Sequence, residues 1–262
     1  MQLRLPALPR HPAATLLALL PLVAVPAAQA GDTAPAPKRT SVGVAVVALK
    51  SPYAGYDTDT IPAPLISYEG RSFYFRGGAV GYRLVNQGGT ELSATLSPYM
   101  MRFKHRDTDN PQLRQLSNRS LSGMAGLAWR HSADWGVVQA SAEAEVTGHG
   151  GGIAADARYS YPLPVGKVRL IPGVGVNYAS SKLNDYYFGV SQAEALRSGL
   201  ARYEAGSGAS PYMDVTVVMP LGTHWTGTAS LRRSRLSDAV RDSPMTRGDH
   251  MDSAAVSLSY GF

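Results

Sequence analysis

The chain has no cysteine, so no disulfide contributes to its stability. That excludes the small stapled secreted module and leaves hydrogen bonding and packing to hold the fold. Nowhere do apolar residues run for the ~18 positions a helix needs to cross a bilayer, so no transmembrane helix is expected. Lys and Arg are scattered along the chain. Without a basic patch, nucleic acid is excluded as a partner. The six histidines form no H-E-x-x-H and no close pair, so neither a metal nor another cofactor is expected. The pentapeptide G-x-S-x-G is also missing, which removes the strained elbow on which a hydrolase of that class holds its serine.

What is present begins with Arg4 and Arg10, an apolar stretch from Ala13 to Val25, and the small-x-small site Ala28-Gln29-Ala30. These are the parts of a secretory signal peptide over residues 1–30. Its removal takes the formal charge from +6 to +4, a mild excess suited to anionic lipid headgroups. Residues 31–40, rich in Pro and Ala, read as a flexible periplasmic leader. The rest, 41–262, is short enough for one β-domain.

From residue 41 the hydropathy period is two. Val138, Ala140, Ala142, Ala144 and Val146 alternate with Gln139, Ser141, Glu143 and Glu145. The same split recurs from Ile153 to Tyr161, and again where Ala254, Val256, Leu258, Tyr260 and Phe262 oppose Ser253, Ser257 and Ser259. Such strands build either a soluble sandwich or a membrane barrel. The apolar face is largely Ala, Gly and Val, a thin filling for a sandwich core but no handicap against lipid. The expected fold is therefore all-β, an antiparallel transmembrane β-barrel in the outer membrane.

About twelve strands are expected, near 41–50, 61–69, 71–77, 78–86, 90–102, 120–131, 134–147, 152–161, 166–179, 209–219, 223–233 and 251–262; ten is the alternative count. Connections after even-numbered strands are all tight, and every long connection follows an odd-numbered one. Outer-membrane barrels show this asymmetry, with short periplasmic turns, longer outer loops and both termini periplasmic. Pro62, Pro64 and Pro172 each remove a ladder donor, so bends or bulges are expected there. Trp135, Tyr161, Tyr178, Tyr212 and Trp225 lie toward strand ends, where aromatic girdles form. Leu258, Tyr260 and the terminal Phe262 resemble the signal that barrel assembly machinery reads.

Candidate chemistry is sparse. His149-Gly150-Gly151-Gly152 matches the HGGG of a lipase oxyanion hole, but between two amphipathic strands it reads as a turn. Gly189-Val190-Ser191-Gln192-Ala193 is the nearest approach to a nucleophile elbow, yet Ser191 and Glu194 have the spacing of a capping box. With Leu196, Leu200 and Tyr203 following and Gly206 as a stop, the stretch 184–208 is expected to hold one short amphipathic helix in an outward loop. As lid, plug or ligand element it would use Asp185, Tyr186, Tyr187, Phe188, Ser191, Glu194 and Tyr203. Glu143, Glu145, Asp156, Arg158 and Arg169 are candidates to line the lumen; the two glutamates either pair with Arg158 or Arg130 or line that polar interior.

Several fragments together resemble the MipA/OmpV family: Ser51-Pro52-Tyr53 with Gly55; Pro62-Ala63-Pro64 and Ile66-Ser67-Tyr68-Glu69-Gly70; Asp185-Tyr186-Tyr187-Phe188-Gly189-Val190-Ser191 through Glu194-Ala195, Ser198-Gly199-Leu200 and Tyr203 to Ala205-Gly206; and Ser234-Arg235-Leu236, Asp238-Ala239, Asp242-Ser243-Pro244. The resemblance implies an outer-membrane barrel that is no enzyme, a scaffold joining a membrane-bound lytic transglycosylase to a murein synthase. Other relatives imply adhesion, osmotic response or antibiotic uptake. The rival reading is a gated pore or small-solute channel.

Overall fold

The computed structural model describes residues 40–262, apart from the side chain of Asp59. The expected signal peptide, and the expected leader up to residue 39, lie outside the described residues. Thirteen strands run in order: β1 (Thr40–Lys50), β2 (Thr58–Glu69), β3 (Phe73–Arg76), β4 (Ala79–Gln87), β5 (Thr90–Tyr99), β6 (Ser122–Ala133), β7 (Gly136–Glu145), β8 (Ile153–Ser160), β9 (Leu163–Val165), β10 (Val168–Ala179), β11 (Gly208–Leu221), β12 (Trp225–Arg235) and β13 (His250–Gly261).

Each strand pairs antiparallel with its neighbour, and the sheet closes where β1 meets β13, from Ser41↔Gly261 to Leu49↔Ser253. Past Pro162, β9 continues the line of β8 along the same edge of β10, so the wall has twelve staves. Pro172 stands at this break, as expected of a residue without a donor: its carbonyl accepts from Tyr161 N, and β10 pairs with β8 only from Gly173 onward.

The period-two pattern becomes two faces. On β1, Val42, Val44 and Val46 are exposed while Ala45 and Val47 are buried. Ile66, Leu96, Leu127, Val174, Leu231 and Val256 continue the exposed apolar belt around the wall. In water such a surface would carry a large hydrophobic penalty; in lipid it is the solvent-compatible face. Connections at one rim span only residues 70–72, 88–89, 134–135, 166–167 and 222–224. At the other rim lie 51–57, 100–121, 146–152, 180–207 and 236–249, together with the two-residue turn 77–78. Gly77 and Gly78 have φ of 55° and 87°, the left-handed pair a tight hairpin turn requires.

Three expectations about the wall are corrected. The β1–β2 register runs unshifted across Pro62 and Pro64, from Thr40↔Tyr68 to Lys50↔Thr58, with neither bend nor bulge. Both prolines point their nitrogens away from β1, so no bond of that ladder is lost. Tyr212 is not a girdle residue: it is buried, and its hydroxyl donates to Asp156 at 2.9 Å inside the barrel. Trp135, Tyr161, Tyr178 and Trp225 are exposed near strand ends. Finally, Glu143 and Glu145 pair with neither Arg158 nor Arg130. Glu143 accepts from Thr95 and Ser97, whereas Glu145 lies at the rim and accepts the backbone N–H groups of Thr147, His149 and Gly151. Those bonds order the glycine turn, where Gly148, Gly150 and Gly151 all take positive φ.

The inward face carries two polar networks. In one, Arg76 binds Glu69 and Glu91, and Arg83 binds the same two carboxylates. In the other, Arg158 grips Asp214 with two bonds of 2.6 and 3.0 Å, joined by Gln139 and Ser160. Arg232 approaches the same Asp214, and Asn177 donates to Asp156. Arg169 sits half-buried at the short-turn end of β10.

Candidate functional site: a folded cap on the long-loop rim

The main hydrophobic core lies among the loops, not inside the barrel. Tyr53, Phe103, Leu113, Leu116, Leu183, Tyr187, Phe188, Val190, Leu236, Val240 and Met245 form one buried cluster, joined by Met124 from the top of β6. It draws on the loops 51–57, 100–121, 180–207 and 236–249, so four outer loops fold together as a cap.

The stretch expected to hold one helix holds two. The first, α1 (Ser181–Phe188), contains the Asp-Tyr-Tyr-Phe motif that the sequence presented as a lead-in; the second, α2 (Gln192–Ser198), has the foreseen capping box, Ser191 Oγ accepting from Glu194 N and Glu194 accepting from Ser191 N. The expected stop at Gly206 is displaced to Gly199, which takes φ 72° and ends α2 in a left-handed cap. Leu196 does not pack inward; it is 78% exposed. Seven residues are two turns, too few to present Leu196, Leu200 and Tyr203 on one face.

The motif side chains tie this loop to its neighbours and, through Asp185, to itself. Tyr187 shares a 2.8 Å bond with Ser122 and donates to Ser120 O, while Tyr53 donates to Tyr187 O at 3.1 Å. Tyr186 accepts from Ser120 N and stacks on His149. Asp185 receives Ala205 N, Ser243 donates to Phe188 O at 2.6 Å, and Tyr203 donates to Ala239 O. Burial pushes the Tyr53 and Tyr187 hydroxyls well above the usual tyrosine range, so both stay neutral donors.

Glu194 is the polar centre of the cap. Its oxygens accept from Ser117 N, Ser191 N, Ser191 Oγ and Arg119, the last at 2.9 and 3.0 Å. Burial alone would raise its pKa, but the Ser117 and Ser191 N–H groups and the Arg119 charge outweigh it and bring it down to about 2. Because the folded value lies below the unfolded value of ~4.3, the carboxylate's contribution is complete above that pH. It is lost as pH falls from there through about 2. At neutral pH, Glu194→Gln is expected to raise the rate of tryptic nicking at Arg197 or Arg202 about ten-fold or more, since a hydrogen bond to a charged group contributes roughly 1.5–3 kcal/mol. Unchanged nicking would remove Glu194 as the organising group.

Sequence reasoning missed Tyr53, Phe103, Leu113, Arg119 and Met245, which belong to other loops. A signal for part of this set existed: the fragments around Tyr53, Leu236 and Ser243 were singled out together with the Asp185 motif, and all converge on the cap core. Ser191 is committed to Glu194, and no histidine side chain is among its hydrogen-bond partners. At the far end of the chain, Phe262 N donates to Thr40 O, and the Tyr260 ring meets those of Trp225 and Phe262 at 5.2 and 5.1 Å.

The sequence signature of a family described as "MltA-interacting protein MipA" matches residues 42–262. An Escherichia coli O157:H7 protein described as outer membrane protein YiaT is 37% identical over 222 residues, covering 85% of this chain and 90% of that protein. The MltA-interacting protein of E. coli K12 is 35% identical over 248 residues, 95% of this chain and all of that protein. OmpV, an outer membrane protein of Vibrio cholerae, is 27% identical over 127 residues, about half of each chain (48% and 49%).

Proposed function

The chain belongs to the MipA family of outer-membrane barrels, and from that membership we propose that it is a non-catalytic scaffold for peptidoglycan-remodelling enzymes. Its partners would be a membrane-bound lytic transglycosylase and a murein synthase. The observation that carries this reading is how the most specific motif is used. Asp185 and Ser191 spend their polar atoms within their own loop, and Tyr187 and Glu194 spend theirs on the neighbouring loop 100–121. A motif spent on closing the outer mouth makes a rigid platform and leaves no nucleophile poised for substrate.

Murein enzymes work on the other side of the membrane, so docking falls to the short-turn rim. There β4 runs past β3: the last backbone bond between the two sides is Arg83 N to Ser72 O. Beyond it Leu84 and Val85 are exposed on the β4–β5 hairpin near the short-turn rim, where apolar side chains suit a protein partner.

The expected result is that the refolded barrel in detergent captures a purified lytic transglycosylase. Capture should survive replacement of the cap segment 181–207 by a short glycine-serine turn and fall when Leu84 and Val85 are changed to aspartate. No capture, or capture that depends on the cap, would refute the scaffold reading.

A further inference from the structure

The barrel wall is not of even height. β3 has four residues against the twelve of β2, and only Tyr68↔Phe75 and Glu69↔Tyr74 join them. Among the described residues, β2 from Thr58 to Ile66 pairs with β1 alone. On the other flank, β4 pairs with β5 only as far as Val80↔Leu96, while β5 runs on to Tyr99. The β3–β4 hairpin therefore ends at Gly77-Gly78 well below its neighbours and leaves a notch between β2 and β5. Above it the loops reconnect: Asp109 N donates to Gly55 O, and Thr108 Oγ1 to Ala54 O. The opening is thus framed on all sides.

Its height coincides with the lipid belt. Across the β1–β2 ladder, Pro62, Pro64 and Ile66 lie opposite Val46, Val44 and Val42, all three exposed apolar residues of the outer face. An unpaired sheet edge in hydrocarbon is costly because its N–H and C=O groups have no partner. The sequence reduces that cost where it arises. Gly70 N donates to β3, so the even-numbered residues of β2 point their backbone groups at the notch, and Pro62 and Pro64 are two of them. On β5, Gly89 O accepts from β6, so the even-numbered residues point toward β4, and Pro98 faces the notch from the opposite side. Three prolines therefore remove N–H groups from the two open edges. Bare donors are the costlier orphans, and strand addition by another chain also needs them.

Behind the opening the lumen changes character. Glu69 at the foot of β2 belongs to a charged network and Ser257 is buried on β13, but between them Ala255, Ala45, Val47, Ala63 and Leu65 make an apolar inward strip across β13, β1 and β2. We propose that the notch between β2 and β5 is a lateral lipid-binding portal, which takes an acyl chain of a bilayer lipid against this luminal strip. The occupant is lipid and not a protein strand, since Pro62, Pro64 and Pro98 interrupt the run of donors that strand pairing needs, and the β2 edge is apolar outside at Pro62, Pro64 and Ile66 and inside at Ala63 and Leu65. The portal is independent of whether the barrel scaffolds murein enzymes.

The absence of native cysteine allows a direct test. Leu65→Cys or Ala63→Cys (inward, at the notch), Ile66→Cys (outward) and Ser141→Cys (inward, on β7, paired on both sides and away from the apolar strip) would each carry bimane. The labelled proteins would be refolded into phosphatidylcholine vesicles containing doxyl-labelled phosphatidylcholine. Heat-modifiable migration would show that each variant is folded. The expected result is quenching of the Leu65 or Ala63 probe close to that of Ile66, and several-fold more than at Ser141. Inward probes at the notch as unquenched as Ser141 would overturn the portal. Equal quenching at Ser141 would overturn it too, because lipid would then be reaching the lumen by another route.

Discussion

Replacing the cap segment 181–207 by a short glycine-serine turn is expected to change a barrel that is silent in a planar bilayer into one with steady conducting steps. The segment contributes Leu183, Tyr187, Phe188, Val190 and Ala205 to the buried loop core. Without them the partners left behind, among them Tyr53, Phe103 and Leu236, lose the surface they pack on, so the other three loops lose their order as well. Below the cap, the polar networks run along the wall between nearby staves: β2 with β3, β4 and β5, and β8 with β11. None of these pairs spans the barrel, so the cap is the element expected to close it. Conductance after its removal would leave a gated pore in contention beside the scaffold. Silence in both forms would mean that side chains fill the lumen, and would leave the scaffold reading unopposed.

The second large effect is inside the wall. Asp214→Ala is expected to destabilise the barrel by about 3–5 kcal/mol, the usual cost of leaving one member of a buried ion pair without its partner. Both Arg158 and Asp214 have side chains only 5% exposed. The Arg158 guanidinium lies flat over Gly173, where a Cβ would stand 2.6 Å from Nη2, so it has little room to swing toward water. The measurement is the urea midpoint of the refolded protein in detergent, or the temperature at which the folded band is lost on gels. The double variant Asp214→Ala with Arg158→Met should recover much of the loss, because replacing both charges with apolar groups removes the stranded cation. A single variant as stable as the parent would show that water reaches the guanidinium.

Strand existence was legible because lipid outside and polar groups inside impose a period of two on every stave. All twelve expected strands are present, including the short 71–77, observed as Phe73–Arg76. The long-loop rim was legible for a related reason: connection length along the chain directly reports which side of the membrane has room. The helix was half legible. Ser191 and Glu194 are three residues apart and bond locally, so their capping box is written in the sequence. Where α2 ends is not: Gly199 and Gly206 are equally able to stop a helix, and Gly199 does so because the chain must turn there to bring Tyr203 back to Val190.

Periodicity gives a residue's face but not its height or its partner. Tyr212 shares the inward face of β11 with Asp214, yet its aromatic ring suggested a girdle until Asp156 and the bare backbone of Gly175 were placed beside it. Pro62 and Pro64 were legible as missing donors, but whether a missing donor matters depends on which neighbour that edge faces. That is a property of strand order. The sequence by itself therefore determined the class of fold, the membrane it suits and the rim that carries the loops, since each follows from local alternation and chain length. Only the tertiary structure decided that four loops share one core, that Arg158 chooses Asp214 and not a glutamate, and that the wall opens beside β2. Those outcomes depend on contacts between residues far apart in the chain, and no local pattern encodes them.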